Sequence, residues 1–422
     1  MKIRCTACDY ESAPEAAAHP CPKCGEPVEV AYAPGEISPA AALAGRGRTL
    51  GRALEGILGD LSAVLPAFAP AERISLGEGG TPLVPLTRLG RKLGLPNLYL
   101  KNEGANPTGS FKDRGTAVAL SWAVRKGARR VGTVSSGNMA SSVAAYAARA
   151  GLPCDVLVPA HLRPEKVFAI AITQPRLTRV EGDYGLLYER ALALGKELGI
   201  YFAVSDDPFR VEGQKTTAYE IVRDLRQLGV DWASTGAAAP PLFIFNATSA
   251  GGHTSGLLKA LEEMVTYQGI SGYPEVVAVQ AAGCAPIAGA FRRGERKVTR
   301  LDHGETDAHA IANPSPPSGS RVLRTMARLG HGSATAVSDE AMKGAQRLIA
   351  SEEGLFIQFE SAGALAAALQ YRDAGKMPAD AVVVLVGTGN GLKDPGAFAP
   401  GDFVVHSCDL EALEQHLERN QW

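Results

Sequence analysis

The chain has no long apolar run, no excess of either charge and, beyond its first 24 residues, almost no cysteine. Its longest apolar stretches, such as Ala381–Val386, are strand-sized, far short of the ~20 residues that a spanning helix needs. No membrane segment is therefore expected. The N-terminus, MKIRCTAC, runs straight into a cysteine pair without an apolar signal region, so the expected compartment is the cytoplasm. The 43 Lys and Arg against 44 Asp and Glu are scattered, leaving no field to hold a polyanion, and nucleic acid is not an expected partner. At 45% hydrophobic and 21% charged residues the composition lies far from that of disordered chains. A length of 422 residues exceeds one average core and predicts two or three domains.

Four of the seven cysteines are patterned: Cys5, Cys8, Cys21 and Cys24 read C-T-A-C, twelve residues, C-P-K-C. Two tight turns that each present two thiolates to one tetrahedral Zn²⁺ have this spacing, which predicts a structural zinc ribbon over residues 1–35. Four thiolates leave no open coordination position for catalytic water. The alternative is a redox or disulfide pair. Cys154, Cys284 and Cys408 stand alone and read as small buried hydrophobes. Residues 1 to 36 carry Lys2, Arg4 and Lys23 against Asp9, Glu11, Glu15, Glu26, Glu29 and Glu36, a balance that would repel nucleic-acid phosphates.

A Pro/Gly/Ala-rich linker and helical segment is expected over 36–73. From Ile74 the pattern alternates short Val/Leu/Ile runs (Asn97–Leu100, Arg130–Val134, Cys154–Val158, Phe243–Phe245, Val276–Val279, Val382–Val386) with Ala/Leu-rich helical stretches. This predicts an α/β class with two open, mainly parallel sheets covered by helices. Ligands in such sheets bind beyond the carboxyl ends of the strands, so the strand-to-helix turns are where chemistry is expected.

Four turns stand out. NPTGSFKDRG (106–115) places Lys112 in the first turn of a helix, with Ser110 and Asp113 spaced as a capping box. A lysine there is repelled by the positive end of the helix dipole, and a depressed amine is what imine formation with an aldehyde requires. SSGN (135–138) is either a carboxylate cradle or a simple helix cap. TSAGGHT (248–254) has the glycines and hydroxyls of a phosphate cradle; its His253 reads first as a loop histidine rather than a base. GTGNGLKDP (387–395) follows a buried strand and offers the Thr388 hydroxyl. One amine, one carboxylate cradle, one phosphate cradle and a hydroxyl turn suggest pyridoxal phosphate and an amino-acid substrate.

Together with the cysteine pairs, the blocks GEGGTPLVPL (77–86), NPTGSFKDRG, SSGN, PFRVEGQKT (208–216), VQAAGCAPI (279–287) and GTGNGLKDP identify a chain that resembles the threonine synthases. These are pyridoxal-phosphate enzymes of fold type II, in the tryptophan synthase β class, and the likeness spans nearly the whole chain. The resemblance implies that Lys112 carries the cofactor as an imine and then shuttles protons, and that Asn138 hydrogen-bonds the ring hydroxyl. It implies that Ser249, Ala250, Gly251, Gly252 and His253 hold the cofactor phosphate, and that Thr388 meets the pyridine nitrogen. Ser135 and Ser136 would take the substrate carboxylate, and Ser205 and Arg210 the substrate phosphate. The implied architecture is a large cofactor-binding unit (74–109 and 206–400), a small unit (110–205) that closes over the substrate, and a tail (401–422). Similar enzymes are homodimers.

Three departures bear on the substrate: Met139 where the family commonly has threonine, SAGGH (249–253) for GNxGN, and QFESAGA (358–364) for EPxSAA, which sets Glu360 where it could face the ring or merely cap a helix. The implied reaction converts O-phospho-L-homoserine and water to L-threonine and phosphate. The alternatives are β-replacement on O-phospho-L-serine with sulfite, as in cysteate synthases, which a space-filling Met139 favours, then plain β-elimination, then a catalytically silent regulator or a protein-binding module.

Overall fold

The computed structural model describes residues 1–45, 55–135, 137–160, 164–182, 184–232, 239–394 and 407–412. Three sheets organise them. A small antiparallel sheet of β1 (Lys2–Cys5), β2 (Glu11–Ser12) and β3 (Val28–Ala31), in the order β2-β1-β3, carries Cys5 at the end of β1 and Cys8, Cys21 and Cys24 in the connections between its strands.

The largest sheet uses β4 (Leu83–Pro85), β5 (Asn97–Asn102), β10 (Leu242–Ala247), β11 (Glu275–Ala281), β12 (Ser333–Val337) and β13 (Val382–Gly387). Its order is β12-β11-β10-β13-β5-β4, parallel except for β4 at the edge. Strands β10 and β13 are buried at every position, which is why they read as unbroken apolar runs: helices cover both faces. The third sheet, β8-β7-β6-β9, is wholly parallel and uses β6 (Val131–Val134), β7 (Cys154–Pro159), β8 (Arg176–Val180) and β9 (Tyr201–Phe202).

Strand order determines where the turns meet. In the large sheet the chain runs outward from β10 through β11 to β12, whereas β13 and β5 lie on the other side of β10; the order reverses between β10 and β13. In the third sheet it reverses between β6 and β9. Loops diverge at such switch points and leave a crevice. The segments leaving these four strands are 248–254, 388–394, 135–138 and 203–210; the first three lie in turns that the sequence marks as chemical, and the fourth holds Ser205 and Arg210, which the resemblance implies.

A buried ionic network ties the elements around this crevice together. Arg114, in the helix Lys112–Arg125, donates to Glu103 from Nε (2.6 Å) and Nη2 (2.8 Å) and to Glu220 from Nη1 (2.8 Å) and Nη2 (2.7 Å). Glu220 lies in the long helix Pro208–Gln227 and also pairs with Lys101 of β5 (2.9 Å) and accepts Gly80 N–H (2.7 Å). Lys101, Glu103, Arg114 and Glu220 have no solvent exposure. The two helices cross so closely that a Cβ on Gly213 would stand 1.9 Å from the Arg114 carbonyl oxygen.

The N-terminal sheet docks on this body. Ile3, Val28 and Val30 share a core with Phe209, Ile221 and Leu257. The Tyr32 hydroxyl donates to Glu212 (2.5 Å), and the Lys215 and Lys259 ammonium groups stand 4.6 and 5.1 Å from the centre of its ring. The expected linker is therefore partly structured: Pro39–Ala44 is a short helix with Ala42 and Leu43 buried. No helix among the described residues is long and apolar enough to cross a membrane.

Arg114→Met should destabilise the protein by about 3–5 kcal/mol, because Glu103 and Glu220 would be left buried without a counter-charge. Urea unfolding followed by circular dichroism checks this; an unchanged midpoint would deny the network its role as a clamp.

Candidate active site

Lys112 opens its helix directly after the loop that leaves β5. It is half-buried, and its Nζ lies 4.5 Å from the centre of the Phe111 ring. Burial, then the positive charge of Arg210, pull its amine down to about 7. The expected depression is thus present, with burial and a guanidinium named as its causes. The capping box is not formed. Asp113 instead accepts from the Thr108 amide (2.7 Å) and hydroxyl (2.6 Å) and from Ser142 (2.7 Å), while the buried Ser110 hydroxyl has no partner among the described residues. Asp113 reaches backward because Thr108 offers it two donors in one turn, which frees Ser110.

Arg210 is fully buried in the first turn of the long helix. Asp207 caps that helix by accepting from Phe209 N–H (2.8 Å) and Arg210 N–H (3.1 Å). The guanidinium donates from Nη1 to Thr116 (2.9 Å), but Nε and Nη2 have no partner among the described residues. Burial lowers its pKa to about 10, so it remains a cation at neutral pH. Unpaired buried donors on a cation are costly unless an anion completes them. One turn on, the Gln214 Oε1 is also buried and unpartnered among the described residues.

The 248–254 turn starts the helix Gly252–Thr266. Gly251 adopts φ +88°, and a Cβ on Gly252 would come 2.4 Å from the Ser205 carbonyl oxygen, so neither position tolerates a side chain. No acceptor is found among the described residues for the amides of Gly251, Gly252, His253 and Thr254. Such a row of free N–H groups at a helix start binds anions. The His253 ring stacks on Phe111, centroids 4.1 Å apart, and burial drives its pKa down to about 3.

The remaining residues close the ring of contacts. The Phe111 amide donates to the Thr388 carbonyl (3.1 Å), and the Thr388 hydroxyl shares a hydrogen bond with Ser361 (2.7 Å). Asn138 donates to Gln358 Oε1 (2.6 Å). The structure thus brings Lys112, Asn138, Arg210, Thr388, Ser205 and the cradle from Ser249 to His253 into one crevice. Ser135 accepts from Gly137 N–H (3.4 Å) at its edge; Ser136 lies outside the described residues. Met139 is buried and belongs to the same hydrophobic cluster as Val143 and Val156. Glu360, in the first turn of its helix, accepts Ala310 N–H (3.0 Å) and so anchors a loop. Sequence reasoning gave Ser110 only a capping role and overlooked Phe111, Gln214, Gln358 and Ser361, although each lies inside one of the blocks it marks.

The four N-terminal thiols also converge, with their sulfur atoms all within 4.8 Å of one another. Burial pushes Cys5 up to about 12; Cys21, despite burial, is drawn to about 7 by the amides of Lys23 and Cys24. Four sulfur donors in one cluster fit a tetrahedral zinc ion.

Comparison with known proteins gives the same direction. The family described as pyridoxal-phosphate dependent enzyme matches residues 74–389. Threonine synthase of Methanocaldococcus jannaschii is 36% identical over 357 residues, which is 84% of this chain and 85% of the relative. Threonine synthase of Bacillus sp. is 33% identical over 86% of this chain and 98% of its own. A crystal structure of a bacterial threonine deaminase (T.th.) superposes with TM-score 0.62 at 25% identity, covering 74% of this chain and 92% of that one. The processed threonine deaminase isoform 2 of Solanum lycopersicum gives TM-score 0.61 at 20% identity, covering 81% and 83%. The crevice fits that family's cofactor: an amine of depressed basicity for its aldehyde, and free helix-start amides for its phosphate.

Because Lys112 reacts only when unprotonated, the rate at which the cofactor-free protein combines with pyridoxal phosphate should rise with pH, reach half-maximum near pH 7 and level off by about pH 8. Arg210→Gln removes a cation that favours the neutral amine, so the midpoint should move to higher pH. Stopped-flow absorbance checks both; an unmoved midpoint would break the link between Arg210 and Lys112.

Proposed function

Since the chain belongs to the pyridoxal-phosphate dependent enzyme family and to its threonine synthase relatives, we propose that it is a lyase converting O-phospho-L-homoserine and water to L-threonine and phosphate. Identity to threonine synthases across more than four-fifths of the chain supports this reading. The observation that carries the phosphorylated substrate is Arg210, a buried cation with two free donors beside the amine. A planar fork of donors suits a phosphate dianion.

In this reading Lys112 holds the cofactor, Asn138 pairs with its ring hydroxyl, Ser249 to His253 take its phosphate, and Thr388 meets the ring nitrogen. Ser135 and Ser136 orient the substrate carboxylate, while Ser205 and Arg210 hold its phosphate. Pyridoxal phosphate, when bound, supplies the electron sink for carbanion chemistry. Lys112 Nζ, about half of it uncharged at pH 7, takes the proton from Cα and then from Cβ. Arg210 balances the charge of the phosphate as it leaves Cγ. Water supplies the hydroxyl at Cβ, and Lys112 returns protons at Cγ and Cα. We read residues 110–205 as the unit that closes over the crevice, keeping other water out until attack is aligned, and the protein as a homodimer, as the resemblance implies.

We also read the N-terminal sheet as a zinc ribbon with Cys5, Cys8, Cys21 and Cys24 as its ligands. Purified protein should contain one zinc per chain by atomic emission, and Cys8→Ser should lose it and melt lower by on the order of 5 °C. Metal-free protein of unchanged melting point would end that reading.

Phosphate release with amino-acid products identified by mass tests the reaction. O-phospho-L-homoserine should yield threonine, and Arg210→Ala should raise KM by about 10- to 100-fold. Turnover of O-phospho-L-serine alone would replace the assignment.

A further inference from the structure

The helix that starts in the phosphate cradle places a histidine at its second position, and the family reading puts this residue at the phosphate without saying what its imidazole does there. His253 is 5% exposed. Its Nε2 lies 3.1 Å from the Thr217 hydroxyl oxygen, whereas its Nδ1 has no partner among the described residues. Thr217 is fully buried, and His253 Nε2 is the only hydrogen-bond partner found for its hydroxyl among the described residues. A buried hydroxyl hydrogen needs an acceptor. Thr217 therefore donates, Nε2 accepts, and the imidazole's own hydrogen resides on Nδ1.

The surroundings allow no second proton. Lys112 and Arg114 oppose a positive charge on the ring, Glu103 favours one, and burial outweighs them all, so the imidazole stays neutral throughout the working range of pH. A neutral ring with Nε2 already accepting has one thing left to give, a single N–H. That donor belongs to the first turn of a helix whose amides at Gly251, Gly252, His253 and Thr254 also lack acceptors among the described residues.

We propose that the Thr217 hydroxyl fixes His253 as the Nδ1–H tautomer and that this N–H donates to the phosphate of pyridoxal phosphate, which makes His253 a cofactor-seating residue. The inference rests on the family reading and adds to it a side-chain donor in place of the asparagine of the GNxGN pattern. Two consequences follow from the geometry. First, the seat of the phosphate is stacked on Phe111, the neighbour of Lys112, so the phosphate and the amine are set by one rigid contact. Second, Arg210, Gln214 and Thr217 recur at i, i+4 and i+7 along one face of a single helix. That helix orients the cofactor's phosphate through Thr217 and the substrate's through Arg210.

The test uses holoenzyme labelled with ¹⁵N-histidine, in which long-range proton–nitrogen correlations report the tautomer of each imidazole. The signal missing from His253→Asn identifies the residue. It should show a protonated Nδ1 and a bare Nε2, unchanged between about pH 6 and 9. His253→Ala should weaken cofactor binding about 10- to 100-fold, the effect of one hydrogen bond to a charged group, read from the absorbance of bound cofactor. Thr217→Val keeps the ring and its stack; it should mix the tautomers and weaken binding severalfold, and it carries the test if His253→Ala does not fold. An Nε2–H tautomer, a ring that titrates in this range, or cofactor affinity within twofold of wild type in both variants would overturn the proposal. Wild-type protein that takes up no pyridoxal phosphate would overturn the family reading instead.

Discussion

The architecture of the crevice depends on one guanidinium. Arg114 is held on two sides by Glu103 and Glu220, each of them buried. Burial alone would raise the basicity of both carboxylates, but Arg114 reverses this and holds both below the usual carboxylate range. Charges without water tolerate only a complete set of partners. The loop at Gly80, strand β5 and two helices consequently share a single relative geometry. Those helices begin with Lys112 and, two residues inside, Arg210. The separation of the Lys112 amine and the Arg210 guanidinium is thus fixed by a network that touches neither.

A second constraint is electrostatic. Lys112 and Arg210 concentrate positive potential in a space removed from bulk water, and each makes the charged state of the other less favourable. Arg210 cannot give up its proton near neutral pH; Lys112 can. The arginine waits as a cation for an anion, and the lysine is left as a base and nucleophile. A neutral His253 avoids a third cation in the same space.

Much of this was legible in the sequence, for definable reasons. The strands buried on both faces, β10 and β13, announce themselves as apolar runs, and the turns behind them stand out by glycine and hydroxyl content. The strands that escaped notice are exposed or short: β8 reads RLTRV and is partly solvated, β9 spans two residues, and β12 reads SATAV with one buried position. The cradle and the Lys112 turn are visible as local patterns, and Arg210 only through the resemblance. Their convergence was not, because it follows from strand order, with the reversals between β10 and β13 and between β6 and β9. Partnerships across the fold, such as Asn138 with Gln358 or Thr217 with His253, leave no local trace. The expected capping box failed for a reason that is partly local: its acid found better donors in Thr108 of the same turn and in Ser142 of a neighbouring helix.

The docking of the N-terminal sheet imposes an order on the chain's synthesis. Tyr32 closes on Glu212, 180 positions later, and Arg324 grips Glu26 across 298. This sheet is synthesised before most of the residues it docks against, so its seat is absent until they follow, with Ile3, Val28 and Val30 lacking their eventual neighbours. A segment with so little apolar volume cannot wait as a folded unit on hydrophobic packing alone. Knotting four thiols around one ion would let it emerge already shaped, a finished part held in reserve until the last strands arrive.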